Sequence, residues 1–148
     1  MSRRWAALCL VLALGAIMPK AAAAQQPARR SGVTLGQNYP NPFNPETFIP
    51  FGVGGAPDCS TEQGRLYRVS VRIFNVLTQP VATPVLRGGS DGVAGGQPLE
   101  NVSLPCGSFV AYWDGKGRDG REAASGVYLY RIEVDGRIAL TKKMFVAN

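Results

Sequence analysis

The clearest signal in the chain is a two-residue alternation. Residues 65–76 set Tyr67, Val69, Val71 and Ile73 on one side and Arg68, Ser70, Arg72 and Phe74 on the other, the period of a strand with one buried face. Residues 126–135, opening at Gly126, repeat it with Tyr128, Tyr130, Ile132 and Val134 on one face, and residues 137–146 read as a return strand. Asp135-Gly136 between them is a strong hairpin signal, because a type I′ turn needs positive φ at both central positions. Shorter β-rich runs fall at residues 81–86, 101–104 and 108–114. Residues 47–53 alternate weakly, and Pro50, which has no N–H, predicts an edge strand there. Glycine-rich turns separate the runs, at residues 87–98 and at 114–121, the latter containing Gly115 and Gly120. About seven short strands and no extended helical period in this part of the chain predict an all-β fold, an immunoglobulin-like antiparallel β-sandwich.

The start of the chain breaks this pattern. Ser2-Arg3-Arg4 is cationic, residues 5–18 are apolar, and Ala22-Ala23-Ala24 before Gln25 offers a small-residue cleavage site. This predicts a signal peptide over residues 1–24, cleaved after Ala24. The apolar run falls short of the about 20 residues that cross a bilayer, so no transmembrane segment is expected in the mature chain. Residues 25–34 are polar and basic and predict a disordered lead-in; residues 35–148 then form one domain with one core. The expected location is outside the cytoplasm: periplasm, cell surface or extracellular.

Charge and cysteines refine the picture. The formal charge of +6 includes Arg3, Arg4 and Lys20, and without them 13 basic residues face 10 acidic ones, a net +3. That excess is too mild to predict nucleic-acid binding. Of three cysteines, Cys9 lies in the apolar run, leaving Cys59 and Cys106 as an even pair, which in an exported chain predicts a disulfide.

The residue inventory argues against catalysis. There is no histidine, which removes histidine-based triads and histidine metal sites, and Ser125 in Ala124-Ser125-Gly126 lacks a nucleophile-elbow pattern. Asp114, Asp119 and Glu122 are close in sequence, but Lys116 and Arg118 occupy positions where a calcium loop needs ligands. The expectation is therefore a non-enzymatic protein with no cofactor and no metal. Trp113 at a strand end followed by Asp114 reads as core and turn.

Residues 34–50 are dense in proline and asparagine: Pro40, Pro42, Pro45 and Pro50 fix φ and withhold donors, while Asn38, Asn41 and Asn44 can bond to nearby backbone. The stretch from Leu35 through Asn38-Tyr39-Pro40-Asn41-Pro42-Phe43-Asn44-Pro45 to Thr47 resembles the opening of the type A C-terminal sorting domains of the type IX secretion system. The stretch Ala111-Tyr112-Trp113-Asp114-Gly115-Lys116-Gly117-Arg118-Asp119-Gly120, continuing through Gly126, Tyr128 and Tyr130 to Lys142-Lys143-Met144, is similar to their closing half. It is similar also to the immunoglobulin-like domain of flagellar hook-capping proteins. The resemblance covers about residues 35–146 and implies a β-sandwich recognised by outer-membrane secretion machinery, without catalysis. Under it, Asn38 to Pro45 and Lys142-Lys143 are the candidate interaction motif. Two features depart from it: no large cargo domain fits between Ala24 and Leu35, and the pattern does not require Cys59 and Cys106.

Two function classes follow. One is an exported domain acting by protein–protein contact in secretion, at the surface, or in hook-capping-like assembly. The other is a secreted carbohydrate- or envelope-binding module using the glycine-rich loop or an aromatic strip of Tyr39, Phe43 and Phe48. Lys142-Lys143 reads either as a recognition element or as charge that keeps an edge strand from aggregating.

Overall fold

A computed structural model describes residues 28–30, 32–88 and 93–148; the expected signal peptide lies outside the described residues. The described chain is all-β and carries no helix, and so none long and apolar enough to cross a membrane. Its strands are β1 (Ala28–Arg30), β2 (Val33–Leu35), β3 (Thr47–Val53), β4 (Leu66–Phe74), β5 (Pro80–Ala82), β6 (Val85–Leu86), β7 (Val102–Pro105), β8 (Gly107–Trp113), β9 (Gly126–Val134) and β10 (Arg137–Val146). Two antiparallel sheets pack as a β-sandwich. Sheet A runs β1-β2-β3-β8-β6, and sheet B runs β10-β9-β4-β5, with β7 sharing the β4 edge.

The alternation read in the sequence is what fills the space between the sheets. Ile49 and Val53 of β3 and Ala111 of β8 meet Val69, Val71 and Ile73 of β4 and Tyr130 and Ile132 of β9, all fully buried. Each large aliphatic side chain so placed contributes about 1.5–3 kcal/mol relative to exposure. Asp135 and Gly136 have φ of 52° and 76°, as the predicted hairpin requires. The outward residues of β4 are less polar than their positions suggested. Phe74 is buried beneath the Arg131 guanidinium, 4.6 Å above its ring, and the Ser70 hydroxyl is buried while accepting the Asn101 N–H at 2.9 Å.

Three expectations are corrected. Residues 28–30, 33 and 34, expected in a disordered lead-in over residues 25–34, are strand: β1 pairs with β2, and Val33 buries into the core beside Leu35, the first residue of the expected domain. Burying those two side chains is what holds a polar, basic segment in register. Residues 81–86 are not one strand: β5 pairs with β4 in sheet B and β6 pairs with β8 in sheet A, so the chain changes sheets at Thr83-Pro84. Proline, which cannot continue a ladder, sits at the crossing.

The third correction concerns β3, an interior strand flanked by β2 and β8 despite Pro50. Gly36 donates to Pro50 O at 2.8 Å, just past the end of β2, and Pro50 cannot return the bond. The missing donor thus falls where the β2–β3 ladder stops, and the pairing of β3 with β8 is continuous from Thr47 to Val53.

Cys59, in the connection from β3 to β4, is joined to Cys106, where the chain passes from β7 in sheet B to β8 in sheet A. The bond ties two inter-sheet connections at one end of the sandwich. Gly54, at φ 73°, packs so tightly that a Cβ there would fall 2.7 Å from Cys106 Sγ. With 47 residues separating the cysteines, the chain-entropy model gives about 4 kcal/mol of stabilisation. Replacing both cysteines by serine is expected to lower the melting temperature by on the order of 10 °C in calorimetry; an unchanged melt would contradict this placement.

Candidate functional site

The loop joining β2 to β3, residues 36–46, has few backbone donors and is held by side chains from elsewhere. The Gly36 carbonyl, left without a partner by Pro50, accepts the Tyr130 hydroxyl at 2.8 Å. The same hydroxyl accepts the Asn38 N–H at 3.1 Å. A tyrosine of sheet B therefore completes the backbone bonding of sheet A. Gly36 cannot carry a side chain here, since a Cβ would lie 2.5 Å from Pro50 Cγ. Tyr130 is wholly buried, and burial pushes its hydroxyl up to about 12, offset in part by the Asn38 N–H bond.

Asn38, 2% exposed, extends the network. Its Nδ2 donates to Thr47 Oγ1 at 3.0 Å and to Pro40 O at 3.2 Å, while its Oδ1 accepts Gln37 Nε2 at 2.7 Å. The buried Thr47 hydroxyl donates to Pro40 O at 3.1 Å. Each buried polar atom in the group has a partner, which is what makes burying them tolerable. Tyr39 then exchanges backbone bonds with Phe48, both at 2.9 Å, closing residues 39–48 into a compact loop.

Phe43 anchors the loop's tip. It is 1% exposed and meets the edge of Trp113 at 5.3 Å, and Trp113 in turn meets Tyr128 at 5.9 Å. Its backbone joins the chain's end: Phe43 N donates to Phe145 O and Ala147 N to Phe43 O, each at 3.0 Å. Asn41 Oδ1 accepts the Phe145 N–H at 3.0 Å, a partner distant in sequence rather than the local one expected. Gly115, at φ 78°, lies directly beneath Pro45, whose oxygen would be 2.0 Å from any Cβ at that position. Asn148 is held by Ser125, whose hydroxyl accepts its N–H at 3.0 Å and donates to its carbonyl at 3.1 Å, and it also donates to Ala123 O.

The proline-rich loop, the turn after Trp113 and the end of β10 thus converge at one end of the sandwich. Asn38 and Phe43 face inward as anchors, whereas Tyr39, Pro40, Asn41, Pro42, Asn44 and Pro45 are exposed. Asp114 and Asp119 are engaged by their own turns, accepting Lys116 N at 3.0 Å and Arg121 N at 3.1 Å. Among the described residues no three acidic or cysteine side chains gather as an ion site would need. Gly120 sits in an open turn and Gly126 opens β9, both with positive φ and free space where a Cβ would be.

Lys142 and Lys143 do not act as a pair. Lys142 is registered with the buried Tyr130 and Lys143 with Leu129, so they project to opposite faces of the edge strand β10. Lys142 is half-buried, a charge on the inward face of an edge strand. The expected aromatic strip is also rearranged: Phe43 belongs to the core, and Tyr112 takes its place beside Tyr39 and Phe48. Sequence reasoning missed Gly36, Thr47 and Tyr112; the signal for Gly36 was its place as a glycine just ahead of a proline-rich loop.

Comparison of the chain with models of known protein families, with curated proteins and with solved structures finds no match in any of the three.

Tyr130→Phe leaves the half-buried Gly36 O and the buried Asn38 N–H without this partner and is expected to cost about 1–3 kcal/mol in denaturant unfolding. Because the folded hydroxyl is raised to about 12 from 10.0, the native state favours the neutral form. Its contribution is complete below pH 10 and is lost as pH rises through about 12. Absorbance titration of wild type should show one tyrosine ionising with unfolding near that upper value, absent in Tyr130→Phe.

Proposed function

We propose that this chain is an exported, non-enzymatic domain of the immunoglobulin-like kind, acting by protein–protein contact in secretion or at the cell surface, as type IX sorting domains do. The observation that carries the reading is the convergence of its two family-like stretches. Residues 35–47 and 111–146 are far apart in sequence, yet Phe43 packs on Trp113 and pairs with Phe145 and Ala147. The exposed prolines and asparagines of the loop then sit beside the end of β10 on one rigid surface. Prolines there present a preset backbone that loses little entropy on binding.

Strand order supports the immunoglobulin-like part of the reading. The sequence β2-β3-β8-β6 in one sheet and β10-β9-β4 in the other follows the A-B-E-D and G-F-C arrangement of such sandwiches. The paired cysteines and the early apolar segment agree with an oxidising compartment. The resemblance to sorting domains implies the secretion machinery of the outer membrane as partner, and the exposed loop surface offers the contact.

Fusing residues 25–148 behind a signal peptide and a reporter, in a host with type IX secretion, tests the proposal. The reporter is expected at the surface or in the medium, and Pro42→Ala with Asn44→Ala, both exposed, should retain the fold while reducing export. A reporter that stays periplasmic would overturn the sorting role.

A further inference from the structure

The outer face of a sandwich sheet is ordinarily studded with charge, yet β3 and β8, the middle pair of sheet A, carry no charged residue. A line of paired residues crosses its strands: Tyr39 opposite Phe48, Phe48 opposite Tyr112, Tyr112 opposite Val85. Three of these are aromatic rings, with centroid steps of 5.5 Å from Tyr39 to Phe48 and 5.5 Å from Phe48 to Tyr112. Tyr39, at the end of the line, is 51% exposed. Beside the line lies a shallow groove lined by Pro50 and Val110 with Thr34, Gln37 and Ser108, none of them charged.

The charges that border the rings are mixed in sign: Arg87 and Glu46 are each engaged by a ring, Asp114 stands near Tyr112, and Lys116 and Arg118 line the hollow beyond it. The Arg87 guanidinium lies 5.0 Å above the Phe48 ring, and Glu46 accepts the Tyr112 hydroxyl at 2.7 Å. The face therefore offers aromatic surface, with hydroxyl and amide groups along its groove, bordered by charges of both signs. An anionic polymer would meet Glu46 and Asp114 among the cations, where polyanion binding requires a run of unopposed positive charge. A ligand that fits has apolar ring faces and hydroxyl-bearing edges. Its repeat should be comparable to the spacing of the rings.

We propose that the outer face of sheet A is a binding site for a neutral glycan, whose pyranose rings lie along Tyr39 and Tyr112, flanking the Phe48 ring that Arg87 covers, and whose hydroxyls meet Glu46, Arg87 and the groove. The site stands whether or not the chain is a sorting domain. Glu46 and Arg87 supply an acceptor and a donor at either side of the rings, so a sugar hydroxyl on each edge can be bonded while its C–H face lies on the aromatic surface. Exposed Tyr39 beside half-buried Phe48 and Tyr112 makes one contiguous aromatic surface, and such a surface marks a contact site.

Isothermal titration of the purified chain with cellohexaose, laminarihexaose and chitohexaose tests the proposal, with heparin and alginate as acidic probes. Binding of at least one neutral hexasaccharide is expected. Tyr39→Ala should weaken it by on the order of tenfold, while leaving the melting temperature unchanged, and Arg137→Ala, exposed on the other sheet, should leave affinity as it was. Binding only to the acidic probes, no binding to any neutral one, or full affinity in Tyr39→Ala would overturn the proposal. So would a dimer in sedimentation that Tyr39→Ala abolishes, since the face would then be occupied by a second copy. Because the readout uses isolated protein, its result is separate from that of the export assay.

Discussion

One hydroxyl group joins the two sheets of this protein. Tyr130 rises from β9 and reaches across the interior to Gly36 and Asn38, supplying the donor that Pro50 lacks and accepting a backbone N–H at the start of the proline-rich loop. In a low-dielectric interior an unmatched carbonyl or amide costs more than the net value of a formed hydrogen bond. The arrangement therefore makes β3, its neighbouring loop and β9 mutually dependent: the proline is acceptable in an interior strand because a side chain from the opposite sheet compensates for it. Gly36, Thr47 and Asn38 are the further parts of that compensation.

From this follows the division of the sandwich into two ends. β3 leads from the proline-rich loop at Thr47 to Val53, where Gly54 packs on Cys106 of the disulfide. At the disulfide end a covalent bond joins the crossings between sheets. At the loop end no covalent bond is present among the described residues, and the work is divided among Tyr130, Phe43 against Trp113, and the backbone pairing with Phe145 and Ala147. An exposed surface of prolines and asparagines held by a buried network is rigid without being covalently fixed. That suits a surface read by another macromolecule, where preorganisation limits the entropy lost on contact.

Much of this was legible in the residues, and the parts that were not share a cause. The period of β4, β9 and β10 and the Asp135-Gly136 turn follow from local rules, and the cysteine pair from counting. Pro50 was misleading because its effect depends on which neighbour its nitrogen faces, a property of register and not of sequence. β1 and β2 were missed because Val33 and Leu35 are single apolar positions in a polar stretch, buried only once β3 is in place. The run at residues 81–86 looks continuous in composition and is divided by geometry at Pro84. For the candidate site, the stretches were visible while their division of labour was not: Asn38 and Phe43 are anchors, Lys142 and Lys143 part company across the sheet, and Tyr112 joins the aromatic face only through its pairing with Phe48.

The most direct test of the central claim is native-state amide hydrogen exchange, read by NMR at Asn38, Phe43 and Ala147. If Tyr130 and the loop form one cooperative unit with the sandwich, these three amides should be protected to nearly the same free energy as the core strands β4 and β9. Exchange at the rate of an open loop at Asn38 and Phe43, with the core strands still protected, would contradict the account.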